Sequence, residues 1–426
     1  MTKAYSAMSR EELVNEKEKL SAIFKDYCAK KYSFNMARGK SGSEQLVLSM
    51  KMLDEINSSG NLIAEGGIDC RNYGELTGIP EAKRFFAELM EVSTDEIIVA
   101  GSSSLNLMYD CLARAMLKGV LGSEKPWIKE DKVKFLCPVP GYDRHFSICE
   151  FLGIEMITIP TYEDGPDMDL IEKLASEDAS IKGMWCVPKF SNPLGITYSD
   201  KVIRRMASFK TAAKDFRIFC DNAYAIHEVY RDVPLLNPLK ACKEAGNPDR
   251  IYIFSSTSKI TFPGSGVAFM SASKENIAFT AKQLFFQIIG WDKINMLRHV
   301  RFLKDMENTR ALMKKHADII RPKFDAVLLK LESELKGLGA GSWIKPDGGY
   351  FITFTAENNC AKRIVSLCKE AGVILTEAGG THPYGKDPED RYIRIAPTFP
   401  SQAELEKAME VFCVAAKLAT LERLSV

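Results

Sequence analysis

Four short segments of this chain hold residue types that can do chemistry if the fold brings them together. Gly101-Ser102-Ser103-Ser104 precedes a stretch of helical period, so its hydroxyls and free N–H groups can receive a phosphate at a helix N-terminus. The same serines can equally serve only as a helix cap. Ser191-Asn192-Pro193-Leu194-Gly195 reads as a turn carrying an amide. Asp221-Asn222-Ala223-Tyr224 places a carboxylate at the end of the apolar run Arg217 to Cys220, where it can face a ligand or cap a following helix. Ser255-Ser256-Thr257-Ser258-Lys259 follows the apolar run Ile251 to Phe254. A lone lysine is ordinarily a solvated charge, but one set directly after an apolar strand and a string of hydroxyls is a candidate nucleophile.

Those segments need elements to position them. Short apolar or β-branched runs recur at Ile97 to Val99, Val133 to Cys137, Glu155 to Ile159, Met184 to Val187, Ile218 to Asp221, Ile251 to Ser255 and Val267 to Met270. Most are separated by helical patterns such as Leu105 to Leu117 and Asp200 to Ala213. This alternation predicts an α/β layer with a mainly parallel sheet, whose ligands sit at the carboxyl ends of the strands. Ser9 and Glu12 form a capping-box pattern for a helix running to about Lys31, and Ser33 to Ser43 reads as a loop. Beyond residue 300, Glu307 to Leu335 reads as one long helix. Gly348 to Phe354 and Arg391 to Ala396 read as strands of a smaller α+β unit. Gly337 to Ser342 only superficially resembles a dinucleotide loop, because it follows a helix and lacks GxGxxG.

Composition narrows the class. With 426 residues, 46% hydrophobic and 27% charged, the chain suits a globular protein of two domains. Lys plus Arg number 57 against 56 Asp plus Glu, which leaves no basic stripe for nucleic acid. The first twenty residues lack the apolar core of a secretory signal, and no run is long enough to span a membrane, so a cytoplasmic location is expected. The 11 cysteines form no CxxC pair and the 5 histidines no HExxH, so reduced thiols and no metal site are expected.

Taken in order, the hydroxyl-rich loop, Asn-Pro-x-Gly, Asp-x-x-Tyr and Ser-x-Ser-Lys resemble the pyridoxal-phosphate (PLP) dependent aminotransferases of fold type I, class I/II. Matching segments extend from about Arg38 to Ala396. Arg38-Gly39-Lys40, the stretch from Ser255 to Phe269 and that from Asp221 to Tyr230 look closest to the MocR-like aspartate aminotransferases, which lack the DNA-binding domain of the MocR regulators. The resemblance implies a large domain (61–305) with a mainly parallel seven-stranded sheet, a small α+β domain (306–426), and an N-terminal segment (1–60) contributing to the small one.

It also implies roles. Lys259 would carry PLP as a Schiff base and shuttle the proton, with Asp221 facing the pyridine nitrogen and Asn192 and Tyr224 near the phenolic oxygen. Tyr142 would stack on the ring. Ser102, Ser103, Ser104, Ser256 and Ser258 would receive the phosphate, and Tyr73 would reach the phosphate of the neighbouring subunit in a homodimer. Arg394 would grip the substrate's α-carboxylate bidentately beside Gly39 and Asn192. Arg38, Arg144 and Arg298 are open candidates for a distal carboxylate. The sequence departs from the family at Gly264-Ser265-Gly266-Val267, where many relatives carry a phosphate-binding arginine; Arg38 or Lys40 could stand in. The activity implied is transamination of aspartate with 2-oxoglutarate. The rivals are an aromatic or kynurenine aminotransferase, a β-lyase, and a PLP-binding effector sensor related to the MocR regulators.

Overall fold

The computed structural model describes residues 3–425. The apolar runs form strands β1 (Ile97–Val99), β2 (Lys134–Val139), β3 (Glu155–Tyr162), β4 (Ile181–Cys186), β5 (Arg217–Asp221), β6 (Ile251–Ser256) and β7 (Ala268–Ser271). They lie in the order β1-β7-β6-β5-β4-β2-β3. The β2–β3, β2–β4, β4–β5 and β5–β6 pairs are parallel; β7 alone is reversed, antiparallel to both β6 and β1. The expected count of seven needs one correction. A two-residue strand, Gly165–Pro166, pairs antiparallel with the end of β3 and makes eight. It is too short for any period to mark, and its proline suits only an edge.

Alternate residues of each strand enter two different cores. Ile97, Val99, Ile218, Cys220, Ile251 and Ile253 face one side, while Ile98, Phe219, Tyr252 and Phe254 face the other. The central strands are covered on both faces, which is why they are apolar runs, whereas the edge strand β3 interleaves exposed and buried residues. Phe135 packs against Trp185 and Phe219 with ring centroids 5.9 and 5.6 Å apart, and each such buried aromatic contributes about 2–3 kcal/mol by transfer alone.

A third core gathers the terminal regions. Helix α1 (Arg10–Ala29) starts at the Ser9–Glu12 capping box. Helix α2 (Ser104–Lys118) follows β1, α3 (Asp143–Phe151) follows β2, and α4 (Lys293–Leu303) precedes the 30-residue α5 (Met306–Leu335). Helix α6 (Gln402–Leu424) lies against both α1 and α5. These cover the antiparallel sheet β8 (Gly341–Trp343), β9 (Ile352–Ala356) and β10 (Tyr392–Ile395).

Two expected elements are shorter than their patterns. Gly348 to Tyr350 is not strand, because Gly349 has φ +78° and both glycines press on Phe190; Gly348 makes only an isolated bridge to Glu228, and the strand begins at Ile352. The helix expected to reach Ala213 stops at Ser208, since Phe209 is extended and Ala212 N–H donates to the Ala175 carbonyl. Among the described residues no helix is long and apolar enough to cross a membrane.

Because β1, β2, β4, β5 and β6 point the same way, their carboxyl ends share one edge. That brings the four chemical segments together.

Candidate active site

At that edge lies a cavity of about 540 Å³. Its wall includes Ser103, Ser104, Tyr142, Asn192, Asp221, Tyr224, Ser256, Ser258, Lys259 and Arg394, together with Arg38, Gly39, Lys40 and Arg144. Three expected residues lie outside it. Ser102 is exposed, Tyr73 is 78% exposed on the surface, and Arg298 sits behind the loop that follows Lys259.

Lys259 ends a single 3₁₀ turn after β6. Its Nζ lies 5.0 Å from the centre of the Tyr224 ring and 5.9 Å from that of Tyr350. No hydrogen-bond partner for Nζ is found among the described residues. Burial pushes the amine's pKa down, and the nearby Asp221 charge only partly opposes this.

Asp221 is buried at the end of β5, and no helix follows for it to cap. Its Oδ2 is 3.1 Å from His145 Nε2, while Oδ1 is buried with no partner. A carboxylate only accepts, so His145 carries its proton on Nε2. The His145 ring is held in turn by stacking on Trp185, with centroids 4.4 Å apart and planes within 7°. Tyr142 stands edge-on to His145 at 5.0 Å, and burial, reinforced by Asp221 and Asp143, pushes its phenol up to about 12. Burial also raises the Tyr224 phenol.

The two ends of the cavity differ in chemistry. At one, Ser103 occupies the N-cap of α2, yet its side chain makes no capping bond, so the hydroxyl is not consumed by the helix. Ser256 Oγ donates to Ser258 Oγ at 3.0 Å. At the other, Arg394 Nη1 donates to Asn192 Oδ1 (3.1 Å) and Asp143 Oδ1 (3.3 Å), and Nη2 to Thr376 Oγ1 (3.1 Å) and the Ala37 carbonyl (3.3 Å). Its guanidinium lies over the Phe351 ring at 4.8 Å, and its Nε is buried and unpartnered. The alternation of β10 is what buries Arg394 while leaving Arg391 half exposed beside Glu389. Gly39 packs on the same ring; a Cβ there would come within 2.6 Å of Phe351, so the close approach needs glycine.

Several groups at the site carry no motif. His145 could have been found from its spacing, one turn after Tyr142 on α3. The network beneath Lys259 could not. His316 Nε2 donates to the Ile260 carbonyl (3.0 Å), Gln45 Nε2 donates to His316 Nδ1 (3.2 Å) and Tyr350 Oη (3.0 Å), and Thr261 Oγ1 meets His299 Nε2 (2.9 Å). It joins residues hundreds of positions apart. Burial lowers both His316 and His299 to about 4. A histidine kept neutral in the fold binds fewer protons than its unfolded form between pH 4 and 6.5. Stability therefore falls as pH drops through that window, by up to about 3 kcal/mol for each. Denaturant titrations at pH 7 and pH 4.5 should show it, and a smaller loss is expected in His316→Asn.

A half-buried amine and a buried carboxylate share one cavity at the carboxyl edge of this sheet, an arrangement that fits the PLP-dependent transferase fold. The chain belongs to the aspartate aminotransferase family, whose profile matches residues 8–426. A Mycolicibacterium smegmatis protein named as an aminotransferase is 44% identical over 423 residues, covering 99% of each chain. The aspartate aminotransferase of Corynebacterium glutamicum is 42% identical over 406 residues, 95% of this chain and 94% of that one. The crystal structure of an aspartate transaminase from C. glutamicum superposes with a TM-score of 0.96 at 40% identity, over 99% of this chain and 100% of that one. The protein is an aminotransferase.

Proposed function

We propose that this chain binds PLP at Lys259 and transfers the amino group of aspartate to 2-oxoglutarate. The observation that carries the reading is the pairing of an amine without a hydrogen-bond partner with a carboxylate whose Oδ1 is buried and unpartnered, across one cavity. A ring N–H would satisfy that oxygen, and the hydroxyls at the N-terminus of α2 suit a phosphate. Similarity to the C. glutamicum aspartate aminotransferase supports aspartate as donor.

When bound, PLP supplies an electron sink that makes the Cα–H of an amino acid acidic. The chain's own groups do the rest. Lys259 Nζ takes the α-proton, and its lowered pKa raises the share of neutral base near pH 7. Asp221 Oδ1 would accept a hydrogen bond from the ring nitrogen, while His145 holds the other oxygen. Asn192 and Tyr224 would bind the phenolic oxygen, and Tyr142 would cover the ring face. Ser103, Ser104, Ser256 and Ser258 bind phosphate, with Ser102 contributing backbone only. Arg394, Gly39 and Asn192 orient the α-carboxylate, and Arg38 and Arg144 are the cavity cations available to a distal one. Arg394→Ala is expected to cost about 2–3 kcal/mol, roughly fiftyfold in kcat/KM for aspartate, mostly through KM; steady-state kinetics checks this.

In this reading the chain is a cytoplasmic enzyme of the MocR-like subgroup, with domains divided at 60/61 and 305/306. It works as a homodimer. Tyr73 is exposed on a loop tied down by Lys293 Nζ through the Asn72 and Gly74 carbonyls, which suits an aromatic meant for a second copy.

The test is an absorbance scan of the purified protein. A visible cofactor band should be lost on adding aspartate and restored by 2-oxoglutarate. A protein with no such band, or one that responds to phenylalanine but not aspartate, would refute the corresponding part.

A further inference from the structure

Resting on the PLP reading, we infer that Arg298 supplies the positive charge opposite the cofactor's phosphate. The hydroxyls of Ser103, Ser104, Ser256 and Ser258 can donate hydrogen bonds to a phosphate, but they cannot balance two negative charges. The loop after Lys259 carries no cation, and a side chain at Gly266 would be tightly held. A Cβ there would lie 3.2 Å from Ser258 Oγ and 3.3 Å from the Ser102 carbonyl. The loop therefore runs directly behind the hydroxyl wall.

Helix α4 grips that loop. Asn295 Nδ2 donates to the carbonyls of Ser265 (3.2 Å) and Gly266 (2.8 Å). One turn further, Arg298 Nη2 donates to Ser265 Oγ (3.3 Å) and to Asn295 Oδ1. Among the described residues Arg298 makes no ion pair, and its Nε is buried without a partner. A half-buried guanidinium bonded only to a hydroxyl and an amide keeps its charge available to a nearby anion. The side of the cavity it backs is the one built to receive an anion, and the low-dielectric wall between them weakens the attraction less than water would.

The rival cations belong elsewhere. Gly39 and Arg394 share the Phe351 ring, so Arg38 and Lys40 flank the carboxylate end. Lys40 Nζ lies over the Phe399 ring at 5.8 Å. Arg144 adjoins Asp143, which pairs with Arg394.

The experiment titrates apoenzyme with PLP and, separately, with pyridoxal, which lacks the phosphate, following absorbance. Wild type, Arg298→Met and Arg298→Lys are compared. Arg298→Met should weaken PLP by about ten- to a hundredfold and leave pyridoxal unchanged, with Arg298→Lys recovering most of the loss. Unchanged PLP affinity in Arg298→Met overturns the inference. So does an equal loss for both ligands, which would mark a structural role for the α4–loop clamp. If Arg298→Met fails to fold, Arg298→Lys and Arg298→Gln carry the same comparison. Wild type binding neither ligand would instead sink the PLP reading itself.

Discussion

Lys259→Ala is expected to abolish transamination and remove the visible absorbance of the bound cofactor. The argument is one of place. Lys259 is held at the end of β6 by a turn whose next two residues are anchored by His316 and His299. Its amine sits where burial keeps its pKa low, the state in which an amine can act as nucleophile and base. Lys40 also lines the cavity, but it is exposed and stacked over Phe399 at the opposite end, so it cannot substitute. Loss of an activated nucleophile leaves no route of comparable rate, and residual turnover should be below detection. Borohydride reduction of the wild-type protein followed by peptide mapping checks the position directly. Cofactor trapped on a different lysine would end the assignment.

Asp221→Ala should lower kcat by about a thousandfold while leaving a protein that still binds PLP. Removing one partner of a buried charged pair typically costs about 3–5 kcal/mol, and here His145 Nε2 loses its acceptor and, on the proposed reading, the ring nitrogen would too. PLP affinity changes less, because Lys259 and the hydroxyls remain. Asp221→Asn should fall between, since an amide oxygen still accepts but carries no charge to keep the ring nitrogen protonated. Turnover unchanged in Asp221→Ala would remove the residue from the mechanism. His145→Ala offers a graded comparison with a smaller loss, as Asp221 would keep its charge but not its orientation.

Much of this architecture was legible from local pattern. A strand covered on both faces must be an apolar run, so the central strands announced themselves, as did the helix begun by Ser9 and the long one through Glu307 to Leu335. The segments at Asn192, Asp221 and Lys259 stood out because each breaks an apolar run with a polar group. Gly165–Pro166 was too short for a period to mark, and the turn at Gly348 was not legible because its conformation answers to a distant partner, Phe190.

By itself the sequence determined which residues end strands, and therefore which could share an edge, because strand periodicity is written in nearest-neighbour chemistry. Only the tertiary structure decided that Ser102 is exposed while Ser103 lines the cavity, and that Asp221 is left with one buried oxygen that no side chain meets. The same holds for Arg298, whose bonds to Ser265 and Asn295 depend on how the helix and loop pack. Facing and electrostatic company are properties of packed elements far apart in the chain, and no local spacing encodes them.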